Sequence, residues 1–173
     1  MKMLPFVLKL TLILGVMMLA IPTGAKGNTP LIPRQDLFGN PEKSAAEVSP
    51  DGKWIAWLAP KDGVMNVWAA PIDKPEAAVA VTDDKRRGIR MYHWAYDGKH
   101  LIYMQDEGGD ENWHVYAVDV AGRTTKDLTA FPGVRAAFAG RSRKVPGEIL
   151  LTLNRRDKRY PDLFRADLET GNL

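Results

Sequence analysis

Short runs of β-branched and aromatic residues, separated by polar turns, make up most of the chain after about residue 45. Residues 54–58 and 67–70 are two such runs, and residues 100–104 are a third. Runs of this length bounded by Asp-Gly, Pro-Gly and Thr-Gly turns predict antiparallel strands joined by tight hairpins. No window of about 12 residues after residue 25 keeps a helical period without a Gly or Pro interrupting it. We therefore expect an all-β protein.

The runs belong to a repeat. Asp51-Gly52-Lys53 returns as Asp97-Gly98-Lys99, and each copy is followed by an apolar strand, a polar turn, a second strand and a closing strand that ends in Thr. A third, degenerate copy begins near Val134. The matching segments are residues 54–58, 67–70 and 78–82 in the first copy, 100–104, 115–118 and 125–129 in the second, and 148–153 and 162–168 in the third. A fixed interval of this kind indicates a repeat architecture.

Four short strands in about 40–50 residues is the size of one β-propeller blade, and such blades form rings of roughly four to eight. We predict four-stranded antiparallel blades, TolB-like or WD-like, over residues 45–82, 89–129 and 134–173. Two blades and most of a third do not close a ring, so the expected fold is an incomplete propeller. A β-sandwich is the alternative, although it does not require the same turn at a fixed interval.

Residues 1–25 have the pattern of a secretory signal peptide. Lys2 and Lys9 are the only charges in this segment, residues 10–21 are apolar, and small residues precede a cleavage site near Ala25. An uncleaved membrane anchor is the alternative, but the apolar run is shorter than the roughly 20 residues of a membrane span. The prediction is a periplasmic or secreted protein that meets the membrane only transiently, with residues 26–44 as a lead-in segment.

Composition and charge narrow the function classes. The chain has no Cys, which excludes disulfides, thiolate metal sites and a cysteine nucleophile. The formal charge of +3 falls to +1 once Lys2 and Lys9 leave with the signal. We expect no nucleic-acid partner, because so small an excess of basic residues does not favour one.

Four segments in order resemble the N-terminal propeller of the prolyl oligopeptidase family of serine peptidases. They are residues 32–41, the blade turn 49–57, residues 108–114, and residues 154–159 preceding 162–164. The similarity is to the acylaminoacyl-peptidase and dipeptidyl-aminopeptidase branch of secreted bacterial enzymes. It implies an α/β-hydrolase domain, absent here, that carries the catalytic triad. It also implies short peptides as substrates, with the propeller gating and positioning them.

No catalytic residue is predicted in the chain itself. No Gly-x-Ser-x-Gly occurs, and none of the three serines, Ser44, Ser49 and Ser142, has the context of a nucleophile. We therefore expect the chain alone to be inactive. The alternative function is a TolB-like periplasmic binding propeller without a hydrolase domain.

An acidic loop spans residues 106–112. Asp110, Glu111 and Asn112 are the candidate substrate contacts, because propeller carboxylates in some dipeptidyl peptidases of the family hold the substrate's free amino group. Calcium binding and a solvated hairpin turn, in which the glycines adopt positive φ, are the alternatives. We expect no cofactor and no metal site.

The remaining polar and aromatic clusters favour structural roles. Arg86, Arg87 and Arg90, in the connection between blades, are expected to be solvated, and the basic run at 155–159 is expected to be a loop with local ion pairs. The five tryptophans are expected to pack between blades rather than to stack on sugars. His93, His100 and His114 are expected to be structural or surface residues, since none has metal-site spacing.

Overall fold

The computed structural model describes residues 31–39 and 41–173. The predicted signal peptide and its cleavage site lie outside the described residues. Residues 31–39 contain one helix, α1 (Arg34–Phe38), whose end is capped where the Gly39 amide donates to the Gln35 carbonyl at 2.8 Å. None of the helices described is long and apolar enough to cross a membrane.

Residues 41–173 form eleven strands and one 3₁₀ turn, Pro75–Ala77. The strands are β1 (Ser44–Val48), β2 (Trp54–Lys61), β3 (Val64–Pro71), β4 (Val79–Ala80), β5 (Tyr92–Trp94), β6 (His100–Gln105), β7 (His114–Asp119), β8 (Thr124–Asp127), β9 (Ala136–Ser142), β10 (Val145–Asp157) and β11 (Tyr160–Asp167).

These strands make three antiparallel sheets in chain order. The first sheet is β1-β2-β3-β4, the second is β5-β6-β7-β8, and the third is β9-β10-β11. Each sheet is a meander in which consecutive strands are neighbours. The prediction of an all-β, incomplete propeller with four-stranded antiparallel blades is confirmed.

The register repeats from sheet to sheet. Trp57 pairs with Trp68 in the first sheet, Tyr103 pairs with Tyr116 in the second, and Leu151 pairs with Phe164 in the third. In the third strand of each sheet, the residue just before this pair is Val67, Val115 or Leu163. Its side chain points to the opposite face of the sheet from the paired residues, and we call that face the forward face. Because side chains alternate along a strand, this register gives every sheet a forward and a backward face.

The forward face of one sheet packs against the backward face of the next. Leu58 and Val67 of the first sheet form a buried cluster with Leu101 and Val118 of the second. A second cluster joins the forward face of the second sheet to the third sheet, and its members include Ile102, Val115, Ile149, Leu151 and Leu153. Hydrophobic burial between sheets is therefore the main stabilising contribution.

The third sheet has no sheet on its forward face among the described residues. Val115 is fully buried, whereas Leu163 at the equivalent position of the third sheet is 63% exposed. Leu150, which corresponds to Ile102, is exposed as well. The apolar pattern of β10 and β11 thus continues to a surface that the described residues do not cover.

The closing strands are shorter than the sequence pattern predicts. β4 covers only two residues of the expected 78–82, because the Thr82 side chain takes over from the backbone ladder. Its Oγ1 accepts from the Val67 amide at 2.9 Å and donates to Asn66 Oδ1 at 2.9 Å. The second sheet repeats the device, with the Val115 amide donating to Thr129 Oγ1 at 2.9 Å.

Candidate functional site

A cavity of about 450 Å³ lies between the second and third sheets. Its walls come from the β4–β5 connection, the beginnings of β5 and β9, the end of β6, and Trp113 just before β7. These segments meet because the connection into a blade and the hairpin between its second and third strands lie at the same end of an antiparallel meander. The volume is within the range of about 300–1,000 Å³ that is typical of small-molecule sites.

One wall of the cavity is apolar. The His93 ring stacks on the Phe138 ring with centroids 5.4 Å apart and an interplanar angle of 28°. Met91 and Met104 lie on the same lining, and the Met104 sulfur accepts a hydrogen bond from the Phe138 amide at 3.5 Å. Aromatic and thioether groups of this kind suit an apolar or aromatic ligand side chain.

Three arginines also line the cavity and give it a positively charged part: Arg87, Arg90 and Arg135. Arg87 Nε lies 3.5 Å from Asp106 Oδ1, and the Asp106 side chain is only 3% exposed. Within residues 41–173, neither Arg90 nor Arg135 has a carboxylate within ion-pair distance. The expectation that Arg87 and Arg90 belong to a solvated connection is therefore incomplete, because both side chains reach the cavity.

The carboxylate of Asp84 shapes the connection that carries these arginines. Burial raises the pKa of Asp84, but hydrogen bonds from the amides of Gly88, Arg86 and Arg87 and from the Gln105 side chain outweigh that effect. The pKa is therefore below its ordinary value. A carboxylate that accepts four hydrogen bonds holds the connection in one conformation.

Two residues after Asp84, Gly88 and Ile89, complete this connection. Gly88 has a φ of +77°, a conformation that few L residues adopt, and the Ile89 amide donates to the Met65 carbonyl at 2.8 Å. This turn places Arg90 two residues before the first residue of β5.

The three predicted substrate contacts lie beside the cavity rather than in its lining. Asp110 accepts from the Asn112 amide at 3.0 Å and from Asn112 Nδ2 at 3.1 Å. The Glu111 amide donates to Asp106 Oδ2 at 3.4 Å. The loop touches the cavity rim at Gly109, where a Cβ atom would lie 2.5 Å from Arg87 Nη1.

Sequence reasoning missed the role of two residues at the ends of this loop, Asp106 as its first residue and Trp113 just after it. Asp106 and Trp113 both line the cavity, whereas the pattern assigned Trp113 to packing between blades. The available signal was their position at the two ends of the acidic loop, just where β6 ends and β7 begins.

Two histidines bond carboxylates that the sequence spacing did not reveal. His100 Nδ1 lies 2.6 Å from Asp97 Oδ2, and His114 Nδ1 lies 2.6 Å from Asp127 Oδ2. Neither pair is joined by a serine among the described residues, and Ser49 is instead used in a turn, where it donates to Asp51 Oδ1 at 2.6 Å. The first pair joins β6 to the turn that precedes it, the second connects β7 to β8, and neither forms a triad.

Charged groups elsewhere are arranged for structure. In the β10–β11 hairpin Arg156 makes a two-point contact with Asp162, and Arg159 pairs with Asp157, which are the local ion pairs expected there. The expected loop is shorter, because residues 155–157 belong to β10. Across the described residues no group of three or more His, Asp or Glu side chains is placed to hold a metal ion.

No family profile matches the sequence. Solved structures share the sheet arrangement: oligopeptidase B from Leishmania major superposes with a TM-score of 0.53 at 15% identity, covering 74% of this chain and 18% of that one. A TolB-like protein from Agrobacterium tumefaciens gives 0.51 at 17% identity, covering 76% and 49%. At these identities the likeness defines the fold class alone, which is a β-propeller segment.

The sequence relationship is more specific than the fold. The chain is 50% identical over 155 residues to dipeptidyl aminopeptidase BIII of Pseudoxanthomonas mexicana, a match that covers 88% of this chain and 22% of that protein. The resemblance to prolyl oligopeptidase-family peptidases is therefore confirmed: the chain is a relative of these enzymes. It spans about a fifth of the length of that curated relative.

Proposed function

We propose that this chain is the propeller part of an exported serine peptidase that hydrolyses short peptides. In this proposal the propeller gates and positions the substrate, and the catalytic triad lies in an α/β-hydrolase domain beyond these 173 residues. The 50% identity to a dipeptidyl aminopeptidase carries the proposal. Residues 1–25 act as the signal peptide, residues 26–44 as the lead-in, and the protein reaches the periplasm or the medium.

The acidic loop is part of the proposal as a contact for the substrate's free amino group. Its support is position, because the loop meets the cavity rim through Gly109 and Arg87. Asp110, Glu111 and Asn112 supply oxygen atoms in this loop, and a carboxylate can accept charge-assisted hydrogen bonds from an ammonium group. Glu107 lies in the same exposed loop outside this trio and serves as a control position.

The alternative function is a binding propeller of the TolB type. Its support is the fold match to the Agrobacterium tumefaciens protein, which is the same in quality as the match to oligopeptidase B. The fold therefore does not separate the two functions, whereas the sequence identity favours the peptidase.

Two measurements test the proposal: the DNA sequence that follows codon 173, and the peptidase activity of the protein that the whole gene encodes. DNA beyond codon 173 that encodes further blades and a Gly-x-Ser-x-Gly motif supports the peptidase, and the encoded protein should then release dipeptides from a chromogenic dipeptide substrate. A serine-directed reagent should abolish this activity. Glu111→Gln should raise KM several-fold with little change in kcat, while Glu107→Gln should leave both constants alone. A stop codon with no hydrolase sequence after it would favour the binding propeller.

A further inference from the structure

We propose that the cavity between the second and third sheets binds the C-terminal residue of a short peptide, through its free carboxylate and an apolar or aromatic side chain. This inference rests on the proposed function and adds the end of the substrate that the propeller recognises. It depends on three observations: a repeated turn that precedes each of two lining arginines, the ion pair that the third arginine makes with Asp106, and the apolar wall of the cavity.

The repeated turn is Gly-Ile-Arg at residues 88–90 and Gly-Val-Arg at residues 133–135. In both copies the glycine has a positive φ, +77° at Gly88 and +62° at Gly133, and the middle residue is buried in the core. The arginine that follows is exposed in both copies and lines the same cavity. Two successive sheets therefore each place an arginine in the lining of one cavity.

The third arginine is already engaged. Arg87 lies against the buried carboxylate of Asp106, which compensates one positive charge and holds Arg87 in place. Arg90 and Arg135 have no such partner in the described part of the chain, so the cavity has a net positive charge. Guanidinium groups beside an apolar wall favour a carboxylate ligand, which they bind with two parallel hydrogen bonds.

The wall selects against a simple inorganic anion. A hydrated phosphate gains nothing from the stacked rings of His93 and Phe138 or from Met91, whereas an aromatic or aliphatic side chain buries apolar area there. A ligand that combines one carboxylate with one apolar group satisfies both parts of the cavity. In a mixture of short peptides, the C-terminal residue is the group with this chemistry.

The residues that line the cavity come from two neighbouring sheets. Every lining residue belongs to the second or third sheet or to the connections that lead into them. The uncovered forward face of the third sheet lies on the opposite side of β10 from Leu151 and Leu153. The binding site therefore does not depend on what covers that face.

The binding test uses the 173-residue chain and its intrinsic fluorescence, since Trp113 lines the cavity. We expect acetyl-Gly-Phe to quench the fluorescence saturably, and acetyl-Gly-Phe-amide to bind at least about 10-fold more weakly, since a hydrogen bond to a charged group contributes roughly 1.5–3 kcal/mol. Arg90→Gln combined with Arg135→Gln should abolish this preference. Arg86→Gln is the matched control, because Arg86 is exposed in the same connection but does not line the cavity.

Equal binding of the acid and the amide would overturn the inference, as would a preference that survives in the double variant. The free acid 3-phenylpropionate distinguishes a peptide end from any aromatic carboxylate: we expect it to bind more weakly than acetyl-Gly-Phe, and equal binding would refute recognition of a peptide. Hydrolysis is measured separately on the protein encoded by the whole gene. Peptidase activity without a preference for the carboxylate would refute this inference and leave the proposed function intact. Carboxylate binding without hydrolysis would support the binding site and refute the proposed function.

Discussion

The threonine that ends each closing strand can be tested by replacing its hydroxyl group without changing its shape. Thr129 is fully buried, and its Oγ1 accepts from the Val115 amide at 2.9 Å. Thr129→Val keeps the side-chain volume but leaves the amide of Val115, also buried, without an acceptor. A buried unsatisfied donor costs roughly 1–3 kcal/mol, and the added methyl group offsets up to about 0.8 kcal/mol of this. We therefore expect Thr129→Val to lower the free energy of unfolding by about 1–2 kcal/mol, the middle of the resulting range of about 0.2–3 kcal/mol.

Thr129→Ser is the matched variant, because it keeps the hydroxyl group and removes one methyl group. It should cost about 0.8 kcal/mol through lost burial. Thr82→Val should behave as Thr129→Val does, because Thr82 makes the equivalent bond to the Val67 amide. The three variants thus separate hydrogen bonding from packing.

The assay is urea unfolding of the full chain followed by tryptophan fluorescence, with equal m-values required before free energies are compared. Hydrogen bonding predicts that both valine variants are destabilised at least as much as Thr129→Ser. If packing alone mattered, the valine variants would be neutral or more stable while the serine variant lost stability. That second result would refute the role assigned to the repeated hydroxyl group.

Three other predictions address the sheet faces, the connection and the turns. Leu163→Lys should reduce self-association of the 173-residue chain in size-exclusion chromatography with light scattering, because Leu163 is exposed. Val115→Lys should instead prevent folding, because Val115 is buried. Since the folded pKa of Asp84 is depressed, its contribution is present above the unfolded value near 3.9 and is lost as pH falls through the folded value; Asp84→Asn should therefore reduce the fall in melting temperature between pH 5 and pH 2. Gly88→Ala should destabilise more than Gly52→Ala in urea, since both have positive φ but only Gly88 would place a Cβ 3.1 Å from Met65; equal losses would mean that φ alone sets the cost.

The sheets could be predicted from the sequence because their register is a local property. Alternation of apolar residues sets which face of a strand is buried, and the Asp-Gly-Lys turn sets where the next strand begins. The closing strands could not be bounded in this way, since Thr82 and Thr129 replace backbone ladder bonds with side-chain bonds. A propensity pattern does not distinguish these two kinds of partner.

The cavity could not be predicted, because it depends on how two sheets stack. Arg90 and Arg135 are 45 positions apart, and each alone has the pattern of a charged residue in a connection. His93 and Phe138 meet only because the second and third sheets stack on each other. The repeat did contain a signal, namely an arginine at the same place after a glycine and a buried aliphatic residue in two successive connections.

The arginines at these two positions are not explained by folding. Ile89 and Val134 are buried and hold their connections to the core, but Arg90 and Arg135 are exposed, and exposed substitutions usually change stability by less than about 0.5 kcal/mol. Arg90→Gln with Arg135→Gln should therefore unfold at the same urea concentration as the unmodified chain. A loss of more than about 1 kcal/mol would mean that the arginines support the sheet interface, and the loss of carboxylate binding in that variant would then have a structural cause. Unchanged stability together with lost binding would assign the pair to ligand recognition.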